Sequence, residues 1–219
     1  MREPNTTDIP LPPPVASAPP RWTRALGAFG IALMGGLFLG GLTSYGQTVL
    51  PDALRPFANS SGGWTMLAFL LVWLSGARPA LAAVLGIVAF EALVEGYGIV
   101  SLSRGYFYAD PFSGIFSLIG LLCGPVLGFA SSLARHGTAR WATLGVTPLV
   151  AVLWGEGVFG LTMIADTTGV TYWILELVLG TVFLGLAVIR RRPSARVLLV
   201  ACALSAVGGV VFYAVYSRL

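Results

Sequence analysis

Four glutamates interrupt the apolar segments of this chain, and their spacing groups them on a few helices. The segment VAFEALVEGYG carries two of them four residues apart, on one helical face, and the other two follow in the segments LWGEG and TYWILE. The four are Glu91, Glu95, Glu156 and Glu176. A carboxylate at the centre of a membrane helix costs about 2.5–3.5 kcal/mol, so these side chains are expected to face one another, a partner or water. Converging carboxylates repel one another unless they are protonated or a cation neutralises them, which indicates either a protonated cluster or a site for a cationic ligand.

Aromatic side chains accompany two of the glutamates. Trp154 precedes Glu156, and Tyr172 and Trp173 stand four and three residues before Glu176, on its side of the helix. Rings beside carboxylates are typical of sites that hold organic cations. The same residue types also form the interfacial belt of membrane proteins, so the alternative of simple anchoring stays open for each ring.

The composition indicates the environment of these residues. Of the 219 residues, 56% are hydrophobic and 10% are charged, with a mean hydropathy of +0.84. A soluble domain carries about a quarter charged residues, so this composition predicts an integral membrane protein. The chain contains no lysine, which excludes Schiff-base chemistry such as retinal attachment. Cys123 and Cys202 lie in apolar runs without a CxxC pattern and are expected to pack as small hydrophobic residues.

The apolar runs predict an all-α transmembrane bundle of seven spans. Their expected positions are 25–46, 57–77, 80–102, 113–134, 141–165, 170–189 and 197–216. The second span has a short apolar part and a polar start, FANSSGG, so six spans are the alternative. Residues 1–24 are rich in proline and predict a disordered cytoplasmic tail, with residues 25–219 as one transmembrane domain.

Arginine placement predicts the orientation in the membrane. With seven spans, ten arginines share the side of the N-terminal tail, against three on the other side. The positive-inside rule therefore places the tail in the cytoplasm and the C-terminus outside, in a bacterial plasma membrane. Every acid beyond the tail then lies in the membrane or outside it.

Small residues line one face of the first span at a spacing of four. They are Ala28, Ala32, Gly36, Gly40 and Ser44, and a second stripe in the fourth span comprises Gly120, Gly124 and Gly128. Such stripes allow close approach of another helix. That helix belongs either to the same chain or to a partner subunit.

The small size, the Ala28-x-x-x-Ala32 pattern in the first span and a polar, aromatic-rich outer half resemble the substrate-binding S components of energy-coupling factor vitamin transporters. The resemblance implies that Ala28 and Ala32 dock on a coupling subunit. It also implies that the outer groups near the four glutamates form the pocket, and that TSYGQTVLPDALRPFANSSGGW is its lid. The family typically has six spans, one fewer than expected here. The use of arginine in place of lysine also resembles small polytopic membrane proteins of actinobacteria, which implies no function.

The leading hypothesis is a non-catalytic protein that binds or transports a small cationic or amine-containing solute, with Glu91 or Glu95 as a candidate proton site. The expected ligand-binding residues are Glu91, Glu95, Glu156, Glu176, Trp154, Tyr172 and Trp173, and the expected docking residues are Ala28, Ala32, Gly36 and Gly40. One alternative is an accessory subunit of a membrane complex. A lipid-modifying enzyme is a weaker one, since the sequence lacks HExxH and GxSxG, and the only histidine is in an inner loop. No cofactor, metal or nucleic-acid partner is expected.

Overall fold

The protein is described by a computed structural model that covers residues 21–108 and 110–218. This part of the chain is all-α, as predicted. Its helices are α1 (Arg21–Val49), α2 (Ser61–Ser75), α3 (Pro79–Ser103), α4 (Ile115–His136), α5 (Ala139–Thr168), α6 (Thr171–Arg191) and α7 (Ala195–Tyr216), with a short 3₁₀ turn at Arg55–Asn59. Residues 1–20 of the predicted tail lie outside the described residues. The last four residues of that tail, 21–24, form the first turn of α1.

Six of these helices are long and apolar enough to cross a membrane, and the prediction of a membrane helix bundle is confirmed. The exception is α2, whose 15 residues extend only about 22 Å, less than the roughly 30 Å of a bilayer core. The doubt about the second span therefore has a structural basis. The chain before α2 is a polar connection folded onto the bundle, and α2 begins among the other helices.

Short connections make successive helices antiparallel and give the bundle two chemically different ends. We call the end with connections 50–60, 104–114 and 169–170 the acidic end, because it holds Asp52, Asp110 and Asp166. The opposite end, with connections 76–78, 137–138 and 192–194, is the arginine end. There Arg135 donates to the carbonyl of Trp73 at the end of α2, and Arg191 donates to the carbonyl of Arg135 at 2.8 Å.

Two apolar cores fill the bundle. The first lies among α1, α2, α3 and α4 and contains Leu85, Leu93 and Leu127. The second lies among α2, α4, α5, α6 and α7 and contains Leu149 and Leu153. The short helix α2 contributes to both, since Leu71 packs in the first and Phe69 in the second. Helix α2 therefore connects the two halves of the bundle.

Local sequence signals determine where α2 begins and ends. Ser60 is its N-cap, with extended backbone and a side-chain oxygen that accepts from Gly63 N at 2.9 Å. Gly76, at φ 66°, ends the helix in the left-handed conformation that glycine adopts without strain. The Ser60 cap makes α2 begin inside the bundle, where Gly62 and Gly63 are buried.

The small-residue stripe of α1 packs within the protein. Ala32 is 0% exposed, and a Cβ placed on Gly36 would lie 2.6 Å from the Cβ of Ala92 on α3. Gly40 lies against the backbone of Leu93. The predicted docking residues Ala28, Ala32, Gly36 and Gly40 therefore face the inside of the bundle in this structure, because α3 fills the close approach that the stripe permits. The glycine stripe of α4 packs against α3 in the same way.

Candidate functional site

A cleft of about 800 Å³ opens at the acidic end of the bundle. The 50–60 connection forms one wall, and the ends of α5, α6 and α7 form the others. Its lining residues are Gln47, Asp52, Ala53, Arg55, Pro56, Asn59, Ser60, Glu156, Phe159, Ile164, Thr167, Thr168, Gly169, Thr171, Trp173 and Tyr216. Ligand pockets in proteins are of this size.

Glu156 lies in the lining of this cleft and is held by the N-terminus of α2. Its side chain is 1% exposed. One carboxylate oxygen accepts from the backbone N–H of Ser61 at 2.8 Å, and the other accepts from the backbone N–H of Gly62. The first N–H groups of a helix have no partner within the helix and carry its partial positive charge. The N-terminus of α2 therefore stabilises a negative charge on Glu156.

Glu176 lies beside Glu156 and is also fully buried. Its side chain is 0% exposed, and one oxygen accepts from the Tyr172 hydroxyl at 2.9 Å. Tyr172 and Ser60 in turn share a hydrogen bond of 2.5 Å. The other carboxyl oxygen of Glu176 has no hydrogen-bond partner among the described residues. The two carboxyls face each other across Gly62, since a Cβ there would overlap Glu176 Oε1 and lie 2.9 Å from Glu156 Oε2.

Trp173 forms part of the cleft wall and is positioned by an irregular turn of α5. Residues Gly160–Ile164 of α5 form a π-helical turn, in which one extra residue widens the helix. Gly160 lies directly against the indole ring of Trp173, and the indole N–H donates to Thr168 Oγ1 at 2.8 Å. The turn provides the space for this ring, and Thr168 at the end of α5 provides the hydrogen-bond acceptor that holds it at the cleft.

The charges around the cleft have an acidic excess. Asp52 and Arg55 form a salt bridge of 2.5 Å in the 50–60 connection, and both side chains are largely exposed. These two charges cancel formally, which leaves Glu156 as the uncompensated formal charge among the lining residues. Phe159 and Tyr216 add aromatic rings in edge-to-face contact, 4.9 Å between centroids. The cleft therefore combines one buried carboxylate with aromatic faces.

The structure separates the four glutamates into two pairs. Glu91 and Glu95 contact α4 and the 104–114 connection, and neither lines the cleft. The Glu91 oxygens and the nearby Ser117 hydroxyl have no hydrogen-bond partner within the described part of the chain, and Glu95 accepts from the backbone N–H of Phe112 at 2.9 Å. In the same connection, burial and the neighbouring Glu95 carboxylate raise the pKa of Tyr108 to about 12.

Trp154 also lies away from the cleft. It lines a separate apolar cavity of about 490 Å³ between α5, α6 and α7, together with Val158, Leu177 and Val210. Of the seven residues predicted to bind ligand, the structure brings together Glu156, Glu176, Tyr172 and Trp173. Tyr172 is 1% exposed and supports the carboxyls from behind, so it does not form part of the cleft surface.

Sequence reasoning missed the backbone of α2 as part of the site. Ser60, Ser61 and Gly62 supply the hydroxyl and the N–H groups that hold the two carboxyls. A signal was present, because Ser-Ser-Gly-Gly directly before an apolar run is typical of a helix N-terminus. What the sequence does not contain is the partner of that helix end, which comes from residues about 95 positions later.

The Gly62→Ala variant tests the close approach of α2 to the carboxyls. Alanine would normally stabilise a helix, but here its Cβ would displace both glutamates, so we expect a loss of about 2 kcal/mol in the free energy of unfolding. The measurement is thermal unfolding of the detergent-purified protein. Gly185→Ala on α6 is the matched control, since its Cβ would have no atom within 4 Å. Equal stability of the two variants would contradict the described geometry.

The fold and the site together define a polytopic membrane helix bundle with a buried pair of carboxyls below an open cleft. The chain belongs to the family of unknown function DUF6518, which it matches over residues 19–219. No curated protein and no solved structure gave a match.

Proposed function

We propose that this protein binds a small organic cation in the cleft at the acidic end, as the binding step of solute uptake or transport. The observation that carries the proposal is Glu156, a carboxylate buried to 1% exposure in the lining of an 800 Å³ cleft. Intramembrane carboxylates are costly and are functional by default. The N-terminus of α2 stabilises Glu156 in its charged form through two backbone N–H groups.

The lining favours an amine or quaternary ammonium group over a metal ion. Trp173, Phe159 and Tyr216 place aromatic rings in the lining, and an organic cation beside an aromatic ring gains about 0.5–2 kcal/mol. Among the described residues, no group of three or more acids, cysteines or histidines is arranged to hold a metal. The volume is appropriate for a molecule of vitamin size.

The distribution of arginine supports an orientation with the cleft outside the cell. Nine arginines of the described chain lie at the arginine end, namely Arg21, Arg24, Arg78, Arg135, Arg140, Arg190, Arg191, Arg192 and Arg196. Three lie at the acidic end, namely Arg55, Arg104 and Arg218. The positive-inside rule then places the N-terminus in the cytoplasm and lets the cleft collect solute from outside.

A role as an S-component-like subunit stays a prediction. The segment that the resemblance implies as a lid corresponds to the end of α1, the 50–60 connection and the first four residues of α2. The connection forms a wall of the cleft. The Ala28 and Ala32 face is buried against other helices, so a coupling partner would have to dock on another surface. The accessory-subunit alternative depended on the stripes of the first and fourth spans, both of which pack against α3, and has less support for that reason.

The test is thermal stabilisation of the detergent-purified protein by choline, thiamine, spermidine and Mg²⁺. A ligand that binds the folded state raises the melting temperature by mass action. We expect an organic cation to stabilise the wild type, and we expect that effect to be lost in Glu156→Gln. Tyr216→Leu, which removes a ring and keeps both carboxyls, is expected to weaken the affinity by a factor of about 2–30.

Glu95→Gln is the matched control, because it removes a carboxylate of the other pair and leaves the cleft lining intact. It should respond to the ligand as the wild type does. If no cation stabilises the wild type, or if Glu95→Gln loses the response while Glu156→Gln keeps it, the proposed site is wrong. An absence of any response together with a defined complex in native membranes would favour the accessory-subunit alternative.

A further inference from the structure

We infer that Glu156 and Glu176 together form a proton-binding site that releases one proton when a cation occupies the cleft. This inference rests on the proposed function for its cation and on the structure for its proton. Glu156 and Glu176 are a different pair from Glu91 and Glu95, which the sequence suggested as candidate proton sites.

The charge around the Glu156–Glu176 pair balances fewer than two ionised carboxylates. The two carboxyls face each other across Gly62, and both are buried to at least 99%. In the described structure neither lies within salt-bridge distance of an arginine, since the ion pair at this end joins Asp52 to Arg55. The N-terminus of α2 supplies roughly half of one positive charge. This partial charge and the two backbone N–H groups favour one ionised carboxylate, whereas a second negative charge beside it would be uncompensated, so the second carboxyl must carry a proton.

The hydrogen bonds of the two carboxyls indicate which one carries the proton. Glu156 accepts from two backbone N–H groups, which favour its charged form. Glu176 accepts only from the Tyr172 hydroxyl, and its other oxygen has no partner among the described residues. A protonated Glu176 can direct its O–H toward the neighbouring Glu156, so that the two carboxyls share one proton instead of repelling each other. The proton therefore belongs to Glu176 or is shared across the pair.

No other charged group surrounds the pair to replace the proton. The titratable side chains that face the two carboxyls from the packed elements are Tyr172 on α6 and Tyr216 on α7. Helix α2 and its cap present hydroxyls and backbone N–H groups, from Ser60, Ser61 and Gly62. Both tyrosines are neutral donors, so they do not supply a positive charge.

Glu156 connects the bound proton to the cleft. Glu156 is part of the lining, whereas Glu176 lies behind it and is absent from that lining. A cation beside Glu156 adds one positive charge, which allows the second carboxyl to ionise. The proton then leaves for the solvent, and the total charge of the site is conserved. One cation enters for each proton released, which is the exchange that a proton-coupled carrier requires.

The proton itself is tested without any ligand, by infrared spectroscopy of the protein in lipid nanodiscs at neutral pH. A protonated carboxyl has a C=O stretching band that is separate from that of a carboxylate. We expect the wild type to show such a band, Glu176→Gln to lose the contribution of one carboxyl, and Glu95→Gln to keep it. An unchanged band in Glu176→Gln would overturn the inference.

The coupling is tested by the pH dependence of choline affinity, because the charge of choline does not titrate. If one proton leaves for each cation bound, the dissociation constant decreases tenfold for each unit of rising pH. We expect this slope in the wild type and no slope in Glu176→Gln. A wild type that binds choline equally at each pH would overturn the coupling. Failure of choline to bind counts against the proposed function, and the infrared result still decides the proton site.

Discussion

The Glu156→Leu variant is expected to lose about 4 kcal/mol in the free energy of unfolding. Leucine has nearly the size of glutamate but accepts no hydrogen bond, so the buried N–H groups of Ser61 and Gly62 would each lose a partner. An unsatisfied buried donor costs about 1–3 kcal/mol, and these two donors lie at one site. The measurement is unfolding by SDS in mixed micelles, with thermal unfolding as a second readout.

Glu91→Leu is the matched comparison and is expected to change stability in the opposite direction. Both oxygens of Glu91 are buried without a partner in the described structure, so its removal eliminates a desolvation cost of about 1–3 kcal/mol without leaving a donor unpaired. The two substitutions are chemically identical. If they destabilise the protein equally, the hydrogen bonds that Glu156 accepts do not contribute to stability. The role given to the N-terminus of α2 is then wrong.

Gly40→Ala is expected to destabilise the bundle by about 3 kcal/mol. A Cβ at this position would lie 2.8 and 2.9 Å from the backbone C and Cα of Leu93 on α3. Backbone atoms cannot move to another rotamer, so the two helices would have to separate along the whole stripe. The expected result is a large decrease in stability in detergent, even though alanine has a higher helix propensity than glycine.

Gly30→Ala on the same helix is the control, because its Cβ would have no atom within 4 Å. It should be neutral or stabilise by up to about 1 kcal/mol. This comparison also tests the role of the stripe. If Gly40→Ala is as stable as wild type in detergent but fails to assemble with another subunit in membranes, the stripe is a docking face and its packing against α3 is wrong.

The span pattern could be predicted from the sequence because it depends on local composition. Each long helix lies within a few residues of its predicted span, and the one doubtful segment is the one that proved short. Apolar length is a property of consecutive residues, and it determines which segments can cross a bilayer. The boundaries of α1 and α2 differ most, since α1 extends to Val49 and α2 begins only after its Ser60 cap.

The partners of the glutamates could not be predicted in the same way. The spacing of Glu91 and Glu95 correctly placed both on α3, but their surroundings come from α4 and the 104–114 connection. Trp154 is two residues from Glu156 and yet faces the lateral cavity, because residues two apart point to different sides of a helix. Proximity in sequence therefore grouped Trp154 with a cleft that it does not line, whereas Trp173 does lie in the lining.

The sequence by itself determined that this is a membrane helix bundle, that its ends differ in charge and that four carboxyls lie within its spans. These follow from composition, segment length and the placement of charged residues. Only the tertiary structure decided that Glu156 meets Glu176, and that the N-terminus of α2 holds them. The physical reason is that helix order and rotation depend on packing between distant segments, as where Gly62 allows two carboxyls from α5 and α6 to approach one helix end.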